Sequence, residues 1–350
     1  MLSETQDIYE LWEEKPPVFP PHSRLYHLEP IGVGTPMVES LTSYVSRLAD
    51  MHSVHPFLLV TRVIVPHLPG AHPDRVDWTS DIYLGGFWAE SGVVNGLRKR
   101  ARDWVETLEK LTLRRDLQFL TLLFWEEVFS PRSLLRSTHA WCPVCYEEWR
   151  QAGQIVYQPL LWQLQVLGRC PRHLHPLHVR CPYPDCRRIQ PYLAQRSRCG
   201  YCPRCSRWLG SSEVDENQEP AITKNDQREW QQWVSNGMGE LLSMAPRLAS
   251  PPQREQFTAT IVSYVEKLAG GKEGPFARQI QADRKSVWGW VRGQWLPQLD
   301  ALLRICFSAG VTPLQLLTAD EEVKVTSTRW IFQDLHTTSP GKRYRKFATE

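Results

Sequence analysis

The sequence predicts a mainly α-helical protein with two zinc-finger or zinc-ribbon modules and a C-terminal helix-turn-helix domain. Three observations predict this class. Eight of the nine cysteines fall in one stretch, between Cys142 and Cys205, mostly at two-residue spacings. Apolar residues recur at helical spacing on both sides of that stretch, as in residues 39–49. Residues 276–293 then carry the capping and turn residues of two short consecutive helices.

The composition indicates a globular protein of two or three domains. The chain has 350 residues, of which 42% are hydrophobic and 23% charged, which is ordinary for such proteins. Its longest apolar run, residues 117–124, is far shorter than the roughly 18 residues that a membrane helix requires. We therefore expect a cytoplasmic protein without a membrane segment, in a reducing compartment that keeps cysteine thiols free.

Composition and periodicity also divide the chain into segments. We expect an N-terminal arm (1–24), a helical region (25–140), a double zinc-binding region (141–210), a linker (211–226), a helical domain (227–326) and a basic tail (327–350). The apolar periodicity predicts helices over residues 39–49, 56–65, 94–111, 116–129, 227–244 and 253–268, and one that begins at Pro159.

The cysteine-rich stretch contains enough ligands for two zinc ions. A CxxC or CxxH turn directs two side chains at one tetrahedral ion, so each such turn supplies half of a site. Sequential pairing predicts one site of three thiolates with an imidazole and one of four thiolates. The predicted ligands are Cys142, Cys145, Cys170 and His173 in the first site, and Cys181, Cys186, Cys202 and Cys205 in the second. Both sites would be closed, which is typical of structural zinc.

Three alternatives remain open at this point. Cys199 shares a CxxC with Cys202, so this pair could replace Cys202 and Cys205 in the second site. The stretch could also hold a single zinc ion or a set of disulfides, although no signal peptide precedes it. His175 and His178 lack the CxxH spacing, so we expect them at the surface or behind the ligands.

The same stretch is strongly basic. Residues 132–210 contain twelve arginines and no lysine, against the three acids Glu147, Glu148 and Asp185. The guanidinium group suits bidentate contacts with phosphate or carboxylate. The pattern favours a nucleic-acid or acidic-protein partner, and a solvated basic face explains it equally well.

The layout of residues 276–293 resembles the Cro/repressor class of helix-turn-helix. Asp283 is placed to cap the second helix, and the turn position that usually holds glycine is Gln281. In DNA-binding members of that class, outward residues of the second helix read base edges. The corresponding residues here are Arg284, Lys285, Trp288 and Arg292. Trp288 suits stacking or a protein contact better than base reading, so nucleic-acid binding, protein docking and plain packing all remain open.

No motif in the sequence predicts an enzyme. The chain lacks GxSxG, P-loop, HExxH and GxGxxG patterns. Zinc hydrolysis would need a site with three protein ligands and one open position, whereas both predicted sites have four protein ligands. We therefore interpret the chain as a binding protein.

The order of these motifs resembles the TniQ/TnsD family of transposon target-selection proteins, over about residues 25–210. The resemblance is carried by Glu39-Ser-Leu41, Ser43-Tyr44, Arg47-Leu-Ala49, Trp141-Cys-Pro-Val-Cys145, Trp162-Gln-Leu-Gln-Val166, Cys170-Pro-Arg-His173 and Cys202-Pro-Arg-Cys205-Ser-Arg-Trp-Leu-Gly210. The chain departs from the family pattern in the wide spacing of Cys181 and Cys186 and in the extra Cys199.

The resemblance implies an adaptor that marks a target and recruits the AAA+ regulator of a transposase. Some such proteins read an attachment site in target DNA, and others dock on a Cascade-type CRISPR effector complex with its guide RNA. The modest length of the chain favours the second kind, and the N-terminal arm is the expected ATPase-recruiting end. A stand-alone DNA-binding protein and an enzyme acting on nucleic acid are the competing hypotheses, and a homo-oligomer stays open.

Overall fold

The computed structural model describes residues 22–70, 87–212 and 225–318. The predicted N-terminal arm and linker fall mostly outside these ranges, and the basic tail falls entirely outside them. Across the described residues, pairing between extended segments is limited to isolated β-bridges, and helices make up most of the regular structure. The prediction of a mainly helical protein is therefore confirmed.

The α-helices lie before and after the cysteine-rich stretch, except for α4, which lies at the start of that stretch. They are α1 (Leu41–Met51), α2 (Pro56–Leu59), α3 (Lys99–Thr112), α4 (Pro143–Gln151), α5 (Asn225–Met244), α6 (Arg254–Ala269), α7 (Glu273–Gln279), α8 (Arg284–Val291), α9 (Leu299–Ala309) and α10 (Pro313–Thr318). No single described helix has both the length and the hydropathy to span a membrane, and only the bent pair Leu41–Met51 and Pro56–His67, inclined at 101°, has both in combination.

Helix α1 begins where the sequence predicts a helix. The side chain of Ser40 caps it by accepting a hydrogen bond from the backbone N–H of Ser43, at 3.4 Å. Its apolar face, which includes Tyr44 and Leu48, is completely buried. The helix therefore lies in the core of the first region, as its periodicity predicts.

A buried ion pair holds the start of α1 against two neighbouring segments. The carboxylate of Glu39 is fully buried and accepts hydrogen bonds from the Arg47 guanidinium and from the Ser43 hydroxyl, the latter at 2.8 Å. It also accepts from the backbone N–H of Ile31, at 3.3 Å, while the Ser43 hydroxyl accepts from the N–H of Gln158, at 2.9 Å. Burial raises the pKa of Glu39, and Arg47 opposes that rise. The pair thus joins α1 to the loop around Ile31 and to the segment around Gln158.

Two predicted helices are absent. Residues 116–129 form the 3₁₀ turns Leu117–Leu120 and Leu123–Trp125, separated by an extended Thr121. The segment after Pro159 forms only the 3₁₀ turn Leu160–Gln163. In both segments apolar side chains are buried without a polar helix face, so tertiary packing decides the backbone path.

Two further predicted helices are shorter or irregular. The helix expected over residues 56–65 is α-helical over α2, π-helical over Val60–Ile64 and 3₁₀ over Val65–His67. The helix expected over residues 94–111 starts only at Lys99. A short 3₁₀ turn, Ser91–Asn95, precedes it and ends at Gly96.

The C-terminal helices pack onto the first region. Helices α5 and α6 confirm the predictions for residues 227–244 and 253–268. Helix α5 contacts both α10 and the turn Leu160–Gln163. The side chain of Gln231 accepts from the N–H of Gly168, at 2.8 Å, and donates to the carbonyl of Val166, at 3.2 Å. One buried apolar cluster consequently runs through both regions.

Candidate metal centres

The first group of ligands is placed by a helix start and by a tight turn. Cys142 is the N-cap of α4 and Cys145 lies in its first turn, so both thiols face the same side. The second pair closes through Leu174, whose φ of 55° lets its N–H bond the carbonyl of Cys170, at 2.8 Å. The N–H of Cys170 in turn donates to the carbonyl of His175, at 2.8 Å. This turn brings Cys170 and His173 back to α4.

The distances within this group match a tetrahedral metal site. The sulfurs of Cys145 and Cys170 lie 3.6 Å apart, and Nδ1 of His173 lies 3.5 Å from Cys142 Sγ and 3.3 Å from Cys145 Sγ. A tetrahedral Zn²⁺, with Zn–S near 2.3 Å and Zn–N near 2.0 Å, separates two sulfurs by about 3.8 Å and a sulfur from a nitrogen by about 3.5 Å. The four side chains therefore fit one ion without rearrangement.

A carboxylate behind His173 fixes the orientation of the imidazole. Nε2 of His173 lies 2.9 Å from Glu148 Oε1, and the other oxygen of Glu148 accepts from Arg172, at 3.0 Å. A metal-bound histidine commonly donates its second ring N–H in this way, which leaves the other nitrogen for the metal. The sequence held a signal for this contact: Glu148 follows Cys145 by three residues on α4 and so shares its face.

The second group consists of four thiols from two turns of similar construction. The sulfurs of Cys181 and Cys205 lie 3.7 Å apart, as do those of Cys186 and Cys202. In the later turn, Ser206 has φ 58° and its N–H bonds the carbonyl of Cys202, at 2.8 Å. The geometry again fits a tetrahedral ion.

The wide spacing between Cys181 and Cys186 does not open the site. Arg187 has φ 47°, and its N–H bonds the carbonyl of Tyr183 at 3.0 Å, so the turn closes four residues back as in the other turns. The N–H of Cys181 then reaches the carbonyl of Arg188, at 2.9 Å. The two additional residues lengthen the entry to the turn without moving either sulfur out of the cluster.

The structure thus gathers all eight predicted ligands into two clusters. Within each cluster the ligand atoms all lie within 4.8 Å of one another. Neither Cys199, His175 nor His178 belongs to a cluster.

Cys199 has a different environment. Its sulfur is buried 3.6 Å from the hydroxyl of Ser43 on α1, and burial raises the pKa of this thiol to about 12. His175 is buried rather than at the surface, and its Nδ1 lies 2.8 Å from the carbonyl oxygen of Pro176. Cys306, which stands at no ligand spacing, is a buried thiol of α9.

All nine cysteines are free thiols. The closest sulfurs, 3.6 Å apart, are far beyond the bonding distance of about 2.05 Å in a disulfide. The close approach of the thiols also affects their ionisation. The neighbouring thiols Cys142 and Cys170, together with burial, raise the pKa of Cys145. A divalent cation would supply the positive charge that allows these thiols to ionise together.

Aromatic side chains seal the first cluster and attach the second cluster to it. Trp149 stacks between Tyr157 and Trp162, with ring centroids 4.7 and 5.8 Å away. The indole N–H of Trp141 donates to the carbonyl of Leu209, at 3.1 Å, and the indole N–H of Trp208 donates to Glu147 on α4, at 2.8 Å. These bonds hold the end of the second cluster's segment against the helix that carries the first.

The C-terminal candidates occupy the short helices α7 and α8 and the turn between them. Asp283 caps α8 by accepting from the N–H of Ser286, at 3.1 Å, as predicted. Gln281 takes a left-handed conformation, with φ 53°, and its carbonyl accepts from Arg304, at 3.0 Å. The N–H of Ala282 also closes back onto the carbonyl of Ala277, at 2.8 Å. These bonds stabilise a turn for which glycine would be the easier residue.

The four exposed side chains of α8 and its C-cap differ in their surroundings. Arg284 and Lys285 are exposed in the first turn of α8. Arg292 lies over the ring of Trp288, 4.5 Å from its centroid, and donates to Glu273, at 2.8 Å. Trp288 keeps 36% of its surface exposed. The structure therefore leaves Arg284 and Lys285 open to a ligand and engages Arg292.

With this geometry in hand, comparison with known proteins places the first region in a family. Residues 30–177 match the family model described as TniQ. Residues 30–177 therefore form a TniQ domain. The match begins before α1 and ends just after His173, so it contains the whole first cluster and none of the second. The resemblance noted in the sequence is confirmed for this TniQ domain. Comparison with the curated proteins finds no match.

Proposed function

We propose that this chain is a non-enzymatic target-selection adaptor for DNA transposition, which links a target-recognition complex to an AAA+ transposition regulator. The match of residues 30–177 to TniQ carries this proposal, because TniQ/TnsD proteins, as the sequence resemblance implies, act as such adaptors. The two four-ligand clusters support a binding role rather than catalysis. A metal held by four protein ligands leaves no position for a reactive water.

Each cluster is proposed to hold one structural Zn²⁺. Three thiolates with an imidazole, and four thiolates, are common ligand sets for structural zinc. Thiolates are softer donors than the oxygen ligands that Mg²⁺ and Ca²⁺ prefer, so these two ions are disfavoured. The ions would hold Cys142 to Cys205 in one compact region between the TniQ core and the C-terminal helices.

The proposed partners are an AAA+ regulator together with either a CRISPR effector complex and its guide RNA or attachment-site DNA. Helices α7 and α8 are proposed as a helix-turn-helix whose nucleic-acid contacts come from Arg284 and Lys285. The stacked Trp288 and Arg292 suit a protein contact better.

A second candidate function is a stand-alone DNA-binding protein, such as an attachment-site reader or a regulator. The capped α8, with two exposed cations in its first turn, favours this candidate. It predicts that the isolated chain retains one DNA sequence over others and loses it as salt rises, since phosphate contacts release counterions.

Co-purification separates these candidates. The affinity-tagged chain would be expressed with an AAA+ transposition regulator and a Cascade-type CRISPR effector complex, and in parallel incubated with a library of DNA fragments. Retention of the regulator together with the guide-RNA complex supports the adaptor. Retention of one DNA sequence with no regulator bound favours the stand-alone reader, and retention of no regulator, no effector and no specific DNA contradicts both.

A further inference from the structure

A groove with basic walls runs beside the second cluster. Its first section, about 610 Å³, is lined by Arg188, Arg196 and Arg204 among apolar residues such as Trp88 and Ile189. No aspartate or glutamate lines this section. The side chain of Ile189 is 41% exposed, so an apolar surface lies directly beside the three guanidinium groups.

Two further sections follow, and each shares lining residues with the section before it. A second section, about 680 Å³, shares Ala89 and Ser137 with the first and carries Arg98 and Arg132. A third section, about 760 Å³, shares Arg132 with the second and reaches Lys285 on α8. The three sections connect the second cluster, the TniQ domain and the proposed helix-turn-helix along one path, which we call the arginine groove.

Several exposed cations of this groove lack acidic partners among the described residues. Some arginines outside the groove do pair with acids, as Arg114 does with Asp116 and Arg207 with Asp185. In the groove, six exposed cations have no hydrogen-bond or ion-pair partner for their side chains within residues 22–70, 87–212 and 225–318. They are Arg98, Arg132, Arg188, Arg196, Arg204 and Lys285.

The acids that line the groove are already engaged. Glu90 lies 3.8 Å from Arg100, and Asp300 accepts from Arg304, at 2.8 Å. Asp283 caps α8. The positive charge of the six cations is therefore not neutralised from within the groove.

We propose that the arginine groove binds the phosphate backbone of a nucleic acid along its length and leads it to the first turn of α8. A stripe of exposed, unpaired cations along one groove is the electrostatic footprint of a polyanion such as nucleic acid. Arginine, which supplies five of the six cations, contacts phosphate through two parallel hydrogen bonds. The source of the nucleic acid, target DNA or guide RNA, rests on the proposed function, but the binding itself does not.

Salt-dependent binding by the full-length, zinc-loaded chain tests this proposal. The probes are a fluorescent duplex DNA and a single-stranded RNA of unrelated sequences, titrated at several salt concentrations. The groove variant neutralises Arg188, Arg196 and Arg204 by substitution with Gln. We expect its affinity for the preferred probe to fall on the order of tenfold at low salt. The slope of log affinity against log salt should shrink by about 0.9 per lost contact for duplex DNA, or about 0.7 for a single strand.

A variant of equal charge serves as the matched control. It neutralises Arg62, Lys110 and Arg115, which are exposed and line none of the three sections, by the same substitution. The control should keep the affinity and salt slope of the unaltered chain, and both variants should keep its zinc content and melting temperature. The better-bound probe identifies duplex or single strand.

Three results would overturn the proposal. These are binding of neither probe, equal losses in the groove variant and the control, or displacement of the bound probe by polyglutamate at matched charge, which would make the groove a site for an acidic protein. Intact groove binding without any retained regulator would instead refute the adaptor function alone. Normal regulator retention by a chain without groove binding would refute the groove alone.

Discussion

The two metal clusters have similar ligand geometry but different surroundings. The first lies within the TniQ domain behind stacked rings of Trp149, Tyr157 and Trp162, and Arg172, in the turn between Cys170 and His173, pairs with Glu148. The second lies beyond the matched segment. Arg204, between two of its ligands, is exposed and lines the arginine groove.

This difference indicates that two metal sites of the same geometry have different roles. At the first cluster, a metal ion would hold together the core of the domain. At the second, the same geometry would fix the positions of arginines in a small region that has few apolar side chains of its own. We therefore expect loss of the first ion to reduce stability, and loss of the second to reduce binding more than stability.

Removal of a ligand from the first cluster should have the largest effect. Cys142→Ser leaves three ligands in a buried site, and structural zinc contributes on the order of 10 kcal/mol to the folds that it organises. We expect the cooperative thermal transition of the TniQ domain to be lost or lowered strongly, as measured by calorimetry and circular dichroism.

Cys202→Ser is the matched substitution in the second cluster. It should leave the main thermal transition largely in place while amide hydrogen exchange rises within residues 181–209 and nucleic-acid binding falls. Equal losses of thermal stability in Cys142→Ser and Cys202→Ser would contradict the proposed difference between the clusters.

Breaking the buried ion pair of α1 should destabilise the TniQ domain without removing a ligand. Arg47→Met leaves the Glu39 carboxylate buried without its cation, which typically costs about 3–5 kcal/mol. Because burial already raises the pKa of Glu39, the loss should shrink as the pH falls and the carboxyl becomes neutral. Chemical denaturation at about pH 7 and about pH 5 measures this, and the double variant Glu39→Gln/Arg47→Met should recover part of the stability. A loss that is independent of pH would argue against the charge as its cause.

A smaller effect is expected from the carboxylate behind His173. Glu148→Gln keeps the shape of the side chain but weakens the hydrogen bond to Nε2, so the first cluster should bind metal about 10–100-fold more weakly. Competition with a chromogenic chelator measures the two sites in sequence, and the second should be unchanged. Glu147→Gln, on the same helix but bound to Trp208, is the control. Equal weakening of both sites would show that α4 as a whole had been disturbed.

The smallest effect concerns the cap of α8. Asp283→Ala removes the acceptor for the Ser286 N–H and should cost about 1 kcal/mol, confined to the C-terminal helices. Hydrogen exchange of α8 should rise while both metal contents stay constant. A change in metal content would mean that the C-terminal helices support the clusters, which would contradict the separate roles expected for the two clusters.

Local chemistry made the clusters predictable from the sequence. Two ligands separated by two residues are held in a fixed relative position by one tight turn. The capping side chains of Ser40 and Asp283 likewise bond backbone N–H groups only three residues away. The left-handed backbone at Leu174, Arg187 and Ser206 cannot be predicted from the sequence, since nothing in these residue types favours it. It follows from closing each turn around two ligands.

Features that depend on contacts between distant parts of the chain could not be predicted from the sequence. Residues 116–129 are apolar on all sides, so their pattern does not distinguish a helix from buried turns. The role of Cys199 likewise depends on Ser43, which is 156 residues away in the chain. The arginine groove brings together Arg98, Arg196 and Lys285, a proximity that no local spacing indicates.

Metal stoichiometry tests the central claim most directly. Native mass spectrometry of the full chain should show two zinc ions per molecule, one for each cluster. Cys199→Ser should keep both ions, whereas Cys142→Ser and Cys202→Ser should each keep one. A single ion in the unaltered chain, or the loss of an ion from Cys199→Ser, would contradict the account of two closed, four-ligand centres.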